Sequence, residues 1–148
     1  MDAAIAEQVR QLVAIEEIKQ LKARYFRAVD LKQWDEFAQL FTADLQIDFA
    51  ESTSKPMTRE QFVASARRHF AGATSVHHGH IPEIEIIDET HARAVWPMFD
   101  LVETPRESSY ESHTGYGHYY EEYRKEDGRW KICRTQLVRI KRVSLDKA

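Results

Sequence analysis

The 148 residues include one cysteine, Cys133, which excludes an internal disulfide framework. Charge of one sign is equally scarce. With 21 Lys and Arg against 24 Asp and Glu, the net charge is -3 and no broad basic surface is expected, so nucleic acid and anionic membrane are not anticipated as partners. The basic stretch from Arg134 to Arg142 alternates with apolar residues, as a strand does. No apolar run approaches the ~20 residues that cross a bilayer, and the N-terminus has neither a basic start with an apolar core nor a small-residue cleavage site. A soluble, cytoplasmic protein is therefore expected. Repeats and low-complexity tracts are absent, as are a glycine-rich phosphate loop, a Gly-x-Ser-x-Gly elbow and a His-Glu-x-x-His pair.

What remains is one compact domain over residues 1–148, with 43% hydrophobic and 30% charged residues. Ile5, Val9, Leu12, Ile18, Leu21, Tyr25 and Val29 recur at intervals of three and four, predicting a long amphipathic helix. Trp34, Phe37, Leu40 and Phe41 mark a second, short helix, with Asp30 in the junction. Leu45 to Phe49 alternates as a strand, and Glu51 to Pro56 is a polar loop. Thr58 and Gln61 form a capping box that opens a helix through Phe62, Ala66 and Phe70, closed by Gly72. Strands follow at Val76–Ile87, Ala92–Val102, Gly115–Arg124 and Arg129–Val143, with turns at Asp88 to Thr90 and Lys125 to Gly128. Helices first and a meander of long strands after predict an α+β fold, in which a curled antiparallel sheet wraps around three N-terminal helices and leaves a pocket.

The residues that could carry chemistry are dispersed. His77, His78 and His80 lie in or beside a strand, so that His77 faces one way and the other two face the opposite way. His78 and His80 with His118 would make a metal set, but no recognised ligand spacing accompanies them, and no metal or organic cofactor is expected. Alternatively Asp30 orients one histidine as a base near neutral pH, with the Tyr25 hydroxyl close by. Each residue also fits a plain structural part: Asp30 as a helix end, Tyr25 as core, the histidines as exposed strand positions.

Lys22 to Asp30 (KARYFRAVD), Trp34-Asp35-Glu36, His77-His78-Gly79-His80 with Pro82-Glu83-Ile84, and Asp127-Gly128-Arg129-Trp130 together resemble the SnoaL-like (nuclear transport factor two-like) superfamily. Within it the pattern is most similar to the bile acid 7α-dehydratases, and is also similar to scytalone dehydratase and hexachlorocyclohexane dehydrochlorinase. The resemblance runs in order from the first helix to the last strand. It implies a cone-shaped fold with an apolar pocket, and an elimination that needs no cofactor and uses an aspartate-histidine pair. It also implies catalytic parts for Tyr25, Asp30, His77 and Arg139. Trp96, Met98, Tyr119 and Phe41 are expected to contact the substrate, a hydroxylated steroid, terpenoid, polyketide or aromatic ring. Strict alternation sets Arg139 on the face opposite Trp130 and Ile132, so either a bulge intervenes or Arg134 is the inward arginine. The loop from Glu103 to His113 is the candidate lid. Tyrosines and apolar residues on one sheet face predict a homodimer or homotrimer. A non-catalytic carrier, an isomerase or cyclase, and an interaction module are the competing functions.

Overall fold

The computed structural model describes residues 2–49 and 57–146; the loop expected at Glu51 to Pro56 lies outside them. Helix α1 spans Ala3–Asp30, its first turn capped by the Asp2 carboxylate, which accepts from the Ala4 N–H at 2.8 Å. Its buried stripe begins at Ala14 and continues through Ile18, Leu21, Lys22, Tyr25, Ala28 and Val29. Ile5, Val9 and Leu12 share the helical spacing but stand 44–64% exposed. Periodicity identifies a face, and only packing buries it.

Helix α2 spans Trp34–Ala38 and strand β1 spans Phe41–Asp48. Phe41 therefore belongs to the strand, not to the helix expected there. The Leu40 carbonyl accepts from the Ile132 N–H at 2.8 Å, and this bond draws the chain into the sheet one residue after the helix pattern would still allow a turn. Helix α3, Arg59–His69, opens with the complete capping box: Thr58 Oγ accepts from Gln61 N–H at 3.1 Å and Gln61 Oε1 accepts from Thr58 N–H at 3.0 Å.

Strands β2 (Thr74–Gly79), β3 (Glu83–Ile86), β4 (His91–Glu103), β5 (Ser112–Glu126) and β6 (Arg129–Leu145) complete a six-stranded sheet ordered β1-β6-β5-β4-β2, with β3 also on β4. The sheet is curled and open. It is mixed, since β1 runs parallel to β6 while the other pairs are antiparallel. The single strand expected over Val76–Ile87 is two strands, broken opposite Pro97. The Pro97 carbonyl accepts from His80 N–H at 2.9 Å, and a residue's N and O point to the same side of a strand. The missing proline N–H thus falls where the edge is interrupted, which is how a proline is accommodated in a strand paired on both sides. Between β5 and β6 the turn places Asp127 (φ 52) and Gly128 (φ 77) in the left-handed region, as a two-residue hairpin requires.

Strand β6 contains the bulge that an inward Arg139 requires. Tyr123 pairs with Ile132 but Glu122 pairs with Arg134, so Cys133 is an extra residue that shifts the alternation by one. Trp130 and Ile132 point to the core before it, and Thr135 and Arg139 do so after it. Arg134 is turned outward, 3.8 Å from Glu122.

Candidate active site

Asp30 ends α1 against strand β2, and all its visible partners lie there. One oxygen accepts from the Ser75 hydroxyl at 3.0 Å and lies 2.7 Å from His77 Nδ1; the other accepts from the His77 backbone N–H at 2.8 Å. A carboxylate only accepts, so Nδ1 carries a proton, and in the neutral ring Nε2 is the nitrogen with the lone pair. The His77 side chain is 8% exposed and packs edge-on against Phe70, with centroids 5.4 Å apart. The backbone bond to Asp30 fixes the strand while the ring bond fixes the tautomer.

His77 lines a cavity of about 120 Å³ between the helices and the concave sheet face. Its walls are apolar at Val29, Phe37, Phe49, Phe62 and Phe70, and polar at Tyr25, Tyr119, Asp100, Arg139 and three histidines, His69, His77 and His113. Tyr25 sits among aromatic rings, 5.3 Å from Phe37 and 6.0 Å from Tyr119. Burial, reinforced by the Glu121 charge, holds its hydroxyl protonated far above the usual phenol range. Burial does the same to Tyr119, whose hydroxyl interacts with that of Tyr25. Both phenols are therefore donors at any ordinary pH.

Beneath these rings lies a sealed polar cluster. The Lys22 ammonium bonds Glu121 at 2.9 Å, with both side chains fully buried, and lies 3.8 Å from the ring centroids of Tyr25 and Tyr119. Glu121 accepts from the hydroxyls of Tyr123 and Thr135, each at 2.7 Å, and Tyr123 accepts from the Trp96 indole N–H at 2.9 Å. Burial lowers the Lys22 pKa and the Glu121 charge works against that shift.

Toward the mouth, Arg139 grips Asp100 with two parallel bonds of 2.9 and 2.8 Å. Burial pushes the Asp100 carboxyl up, but the two bonds from Arg139 and its charge outweigh that and hold the group below the usual carboxylate range. The pair crosses strand β5 at Gly115, where a Cβ would stand 1.9 Å from Arg139 Nη1 and 2.5 Å from Asp100 Oδ1. His113 Nε2 lies 3.5 Å from Asp100 Oδ2, and Arg142 donates toward His113 Nδ1 at 3.2 Å. His69 packs on Tyr110, centroids 4.3 Å apart; burial first, with the Arg142 charge in the same direction, lowers its pKa to about 4.

Of the residues expected at the site, Tyr25, His77, Arg139 and Tyr119 line the cavity and Asp30 stands behind His77. Phe41, Trp96 and Met98 do not line it. Phe41 forms a layer behind Phe37, 4.9 Å away, and Trp96 is taken up by Tyr123 in the sealed cluster. Met98 is buried on the same concave face as Trp96. His78 and His80 are exposed; among the described residues no group of three or more His, Cys, Asp or Glu is arranged to hold a metal ion. Asp100, His113, His69 and Arg142 were not foreseen. Asp100 had a readable signal, since alternation along β4 puts it in phase with Trp96 and Met98, an inward carboxylate in an apolar series. His113 had less: β5 begins at Ser112, three residues before the strand expected from Gly115.

The SnoaL-like domain profile matches residues 10–136 of the chain. A proposed scytalone dehydratase from Novosphingobium aromaticivorans is similar in structure, with TM-score 0.83 and 20% identity over 95% of this chain and 93% of that one. A type 3 hexachlorocyclohexane dehydrochlorinase from Novosphingobium barchaimii superposes with TM-score 0.78 at 16% identity, over 93% and 94% of the two chains. A protein of unknown function from Mycobacterium tuberculosis, solved as an Asp-to-Asn variant, gives TM-score 0.72 and 23% identity over 87% and 73%.

Proposed function

We propose that this chain, which belongs to the SnoaL-like domain family, is a lyase that removes water from a small hydroxylated, carbonyl-bearing ring compound without a cofactor. The observation that carries the reading is the Asp30–His77 pair, with Nδ1 engaged at 2.7 Å and the other ring nitrogen left to an apolar cavity that also holds two protonated tyrosines.

The steps balance within these groups. His77 Nε2 takes the proton from the carbon next to the carbonyl, and the C–H electron pair moves onto the carbonyl oxygen as an enolate. The enolate then collapses, a carbon–carbon double bond forms, and the bond to the hydroxyl breaks. Tyr25 gives that hydroxide its proton, water departs, and the proton on His77 returns to Tyr25. Asp30 faces the imidazolium that forms between the two transfers, and its charge stabilises that state. Arg139 steadies the enolate side of the cavity from within its pair with Asp100.

The motif likeness to bile acid 7α-dehydratases favours a steroid or similarly fused ring, and the phenylalanine walls suit any flat apolar ring. A second copy of the chain is the proposed partner, seated on the outer sheet face where Tyr116, Tyr120, Val138 and Ile140 are 44–75% exposed, and the single thiol suits a reducing cytoplasm.

The test incubates the protein with hydroxylated ketones of the steroid and monocyclic series and follows loss of one water by mass spectrometry, with His77→Ala in parallel. Water loss present in the wild type and absent in the variant is expected. Binding with no mass change in either protein would make the chain a carrier.

A further inference from the structure

The dehydration proposed above needs a hydrogen-bond donor at the carbonyl oxygen, where charge accumulates. Arg139 spends one N–H of each terminal nitrogen on Asp100, at 2.9 and 2.8 Å, and is held in that geometry. His113 is differently placed. Its side chain is 4% exposed, it lines the cavity, and its Nε2 is a buried nitrogen with no hydrogen-bond partner. The strand pairing on both sides, with Val102 on β4 and Ser144 on β6, holds it rigidly on the concave face.

The tautomer follows from its neighbours. A guanidinium only donates, so Arg142 Nη2 at 3.2 Å from Nδ1 requires a lone pair on Nδ1 and leaves the proton on Nε2. From the other side, Asp100 Oδ2 at 3.5 Å would repel a lone pair on Nε2 and is compatible with an N–H, although the distance is too long for a good bond. The Glu111 carbonyl, 3.3 Å from Nδ1, is the weaker neighbour because Arg142 is both nearer and charged. A buried N–H without an acceptor is costly, and a ligand oxygen removes that cost.

We infer that His113 is a catalytic residue, its Nε2–H donating to the carbonyl oxygen of the substrate and to the enolate oxygen that replaces it. The inference rests on the dehydratase reading for the reaction, and it adds the residue that polarises the substrate opposite the His77 base. An uncharged imidazole N–H is well suited to this, because it strengthens as charge develops on the oxygen without surrendering its proton. It also narrows the ligand: the group bound at His113 is an acceptor without a proton of its own, a carbonyl rather than a second hydroxyl.

The probe is cyclohex-2-enone, a conjugated ketone with no leaving group, so that binding is read without turnover. In the wild type its infrared carbonyl band moves to lower frequency on binding. His113→Gln, which keeps an N–H near the same place, retains most of that shift. His113→Leu loses it and binds about fivefold more weakly, the effect of one hydrogen bond. His77→Ala leaves the shift intact, which separates this donor from the base. If the band moves equally in His113→Leu, His113 is not the donor, and the dehydratase reading stands. If the enone fails to bind the wild type, both fall. Should His113→Leu not fold, the wild-type ¹⁵N resonance of His113 Nε2–H decides, moving downfield with enone if the assignment is right and staying fixed if it is wrong.

Discussion

The concave face carries two buried ion pairs, and they are finished differently. Lys22–Glu121 is closed on every side: the carboxylate takes the ammonium and two hydroxyls, and the ammonium rests on two tyrosine rings. Asp100–Arg139 is nearly as well buried, at 4% and 11% exposure, but its surroundings are incomplete, with His113 3.5 Å from the carboxylate and the cavity beyond. Burial of charge alone does not mark a site, because both pairs have it. A polar atom left without a partner beside a cavity does, since only an incoming group can supply what the fold withheld.

The comparison can be broken first where it is most rigid. Lys22→Met leaves Glu121 charged and buried without its cation, and urea denaturation is expected to show a loss of about 3–5 kcal/mol. Adding Glu121→Gln should recover much of it; no recovery would mean that Lys22 matters for packing rather than for charge.

Asp30→Asn is the next largest effect and falls mainly on turnover, with a smaller cost from the bonds to Ser75 and the His77 N–H that one amide oxygen cannot keep. It keeps the size of the side chain, so the fold should survive, while water loss falls at least about a hundredfold as the orienting carboxylate disappears. Unchanged turnover would mean that His77 does not need the Asp30 charge.

Gly115→Ala sharpens the reading of the open pair. The new methyl would overlap Arg139 Nη1 and Asp100 Oδ1, so the two side chains must separate at a cost of about 1–3 kcal/mol in thermal or urea unfolding. Alanine at any outward position of β5 should cost far less.

The last effect is a pH dependence. His69 has a folded pKa of about 4 against the ordinary 6.5 of histidine, so below pH 6.5 the unfolded chain binds the proton that the native site refuses. Stability therefore falls as pH drops from 6.5 toward 4, and His69→Gln should flatten that part of the curve. An unaltered slope would mean that His69 titrates normally.

Much of this was legible in the residues. The capping box at Thr58, the long first helix, the hairpin at Asp127-Gly128 and the alternation of β4 follow from local chemistry, because each depends on a few neighbouring side chains. Asp30 and His77 became candidates by another route, through the resemblance of KARYFRAVD and His-His-Gly-His to the SnoaL-like motifs, since spacing alone fits a plain structural part equally well. Partnership across the chain was not legible. Nothing near Lys22 in sequence announces Glu121, 99 residues away, and nothing near Asp100 announces Arg139.

Sequence by itself determined the type of most segments and the apolar face of the regular ones, since period and capping are local properties, but not the fate of Phe41 or the break between β2 and β3. Tertiary structure alone decided the parallel docking of β1 on β6, the exposure of Ile5, Val9 and Leu12, and the bulge at Cys133 that turns Arg139 inward. It also decided which buried charges were completed and which were left facing a cavity. The physical reason is that a hydrogen bond or an ion pair is a property of two groups at a distance of about 3 Å, and the chain's order says little about which distant groups will meet.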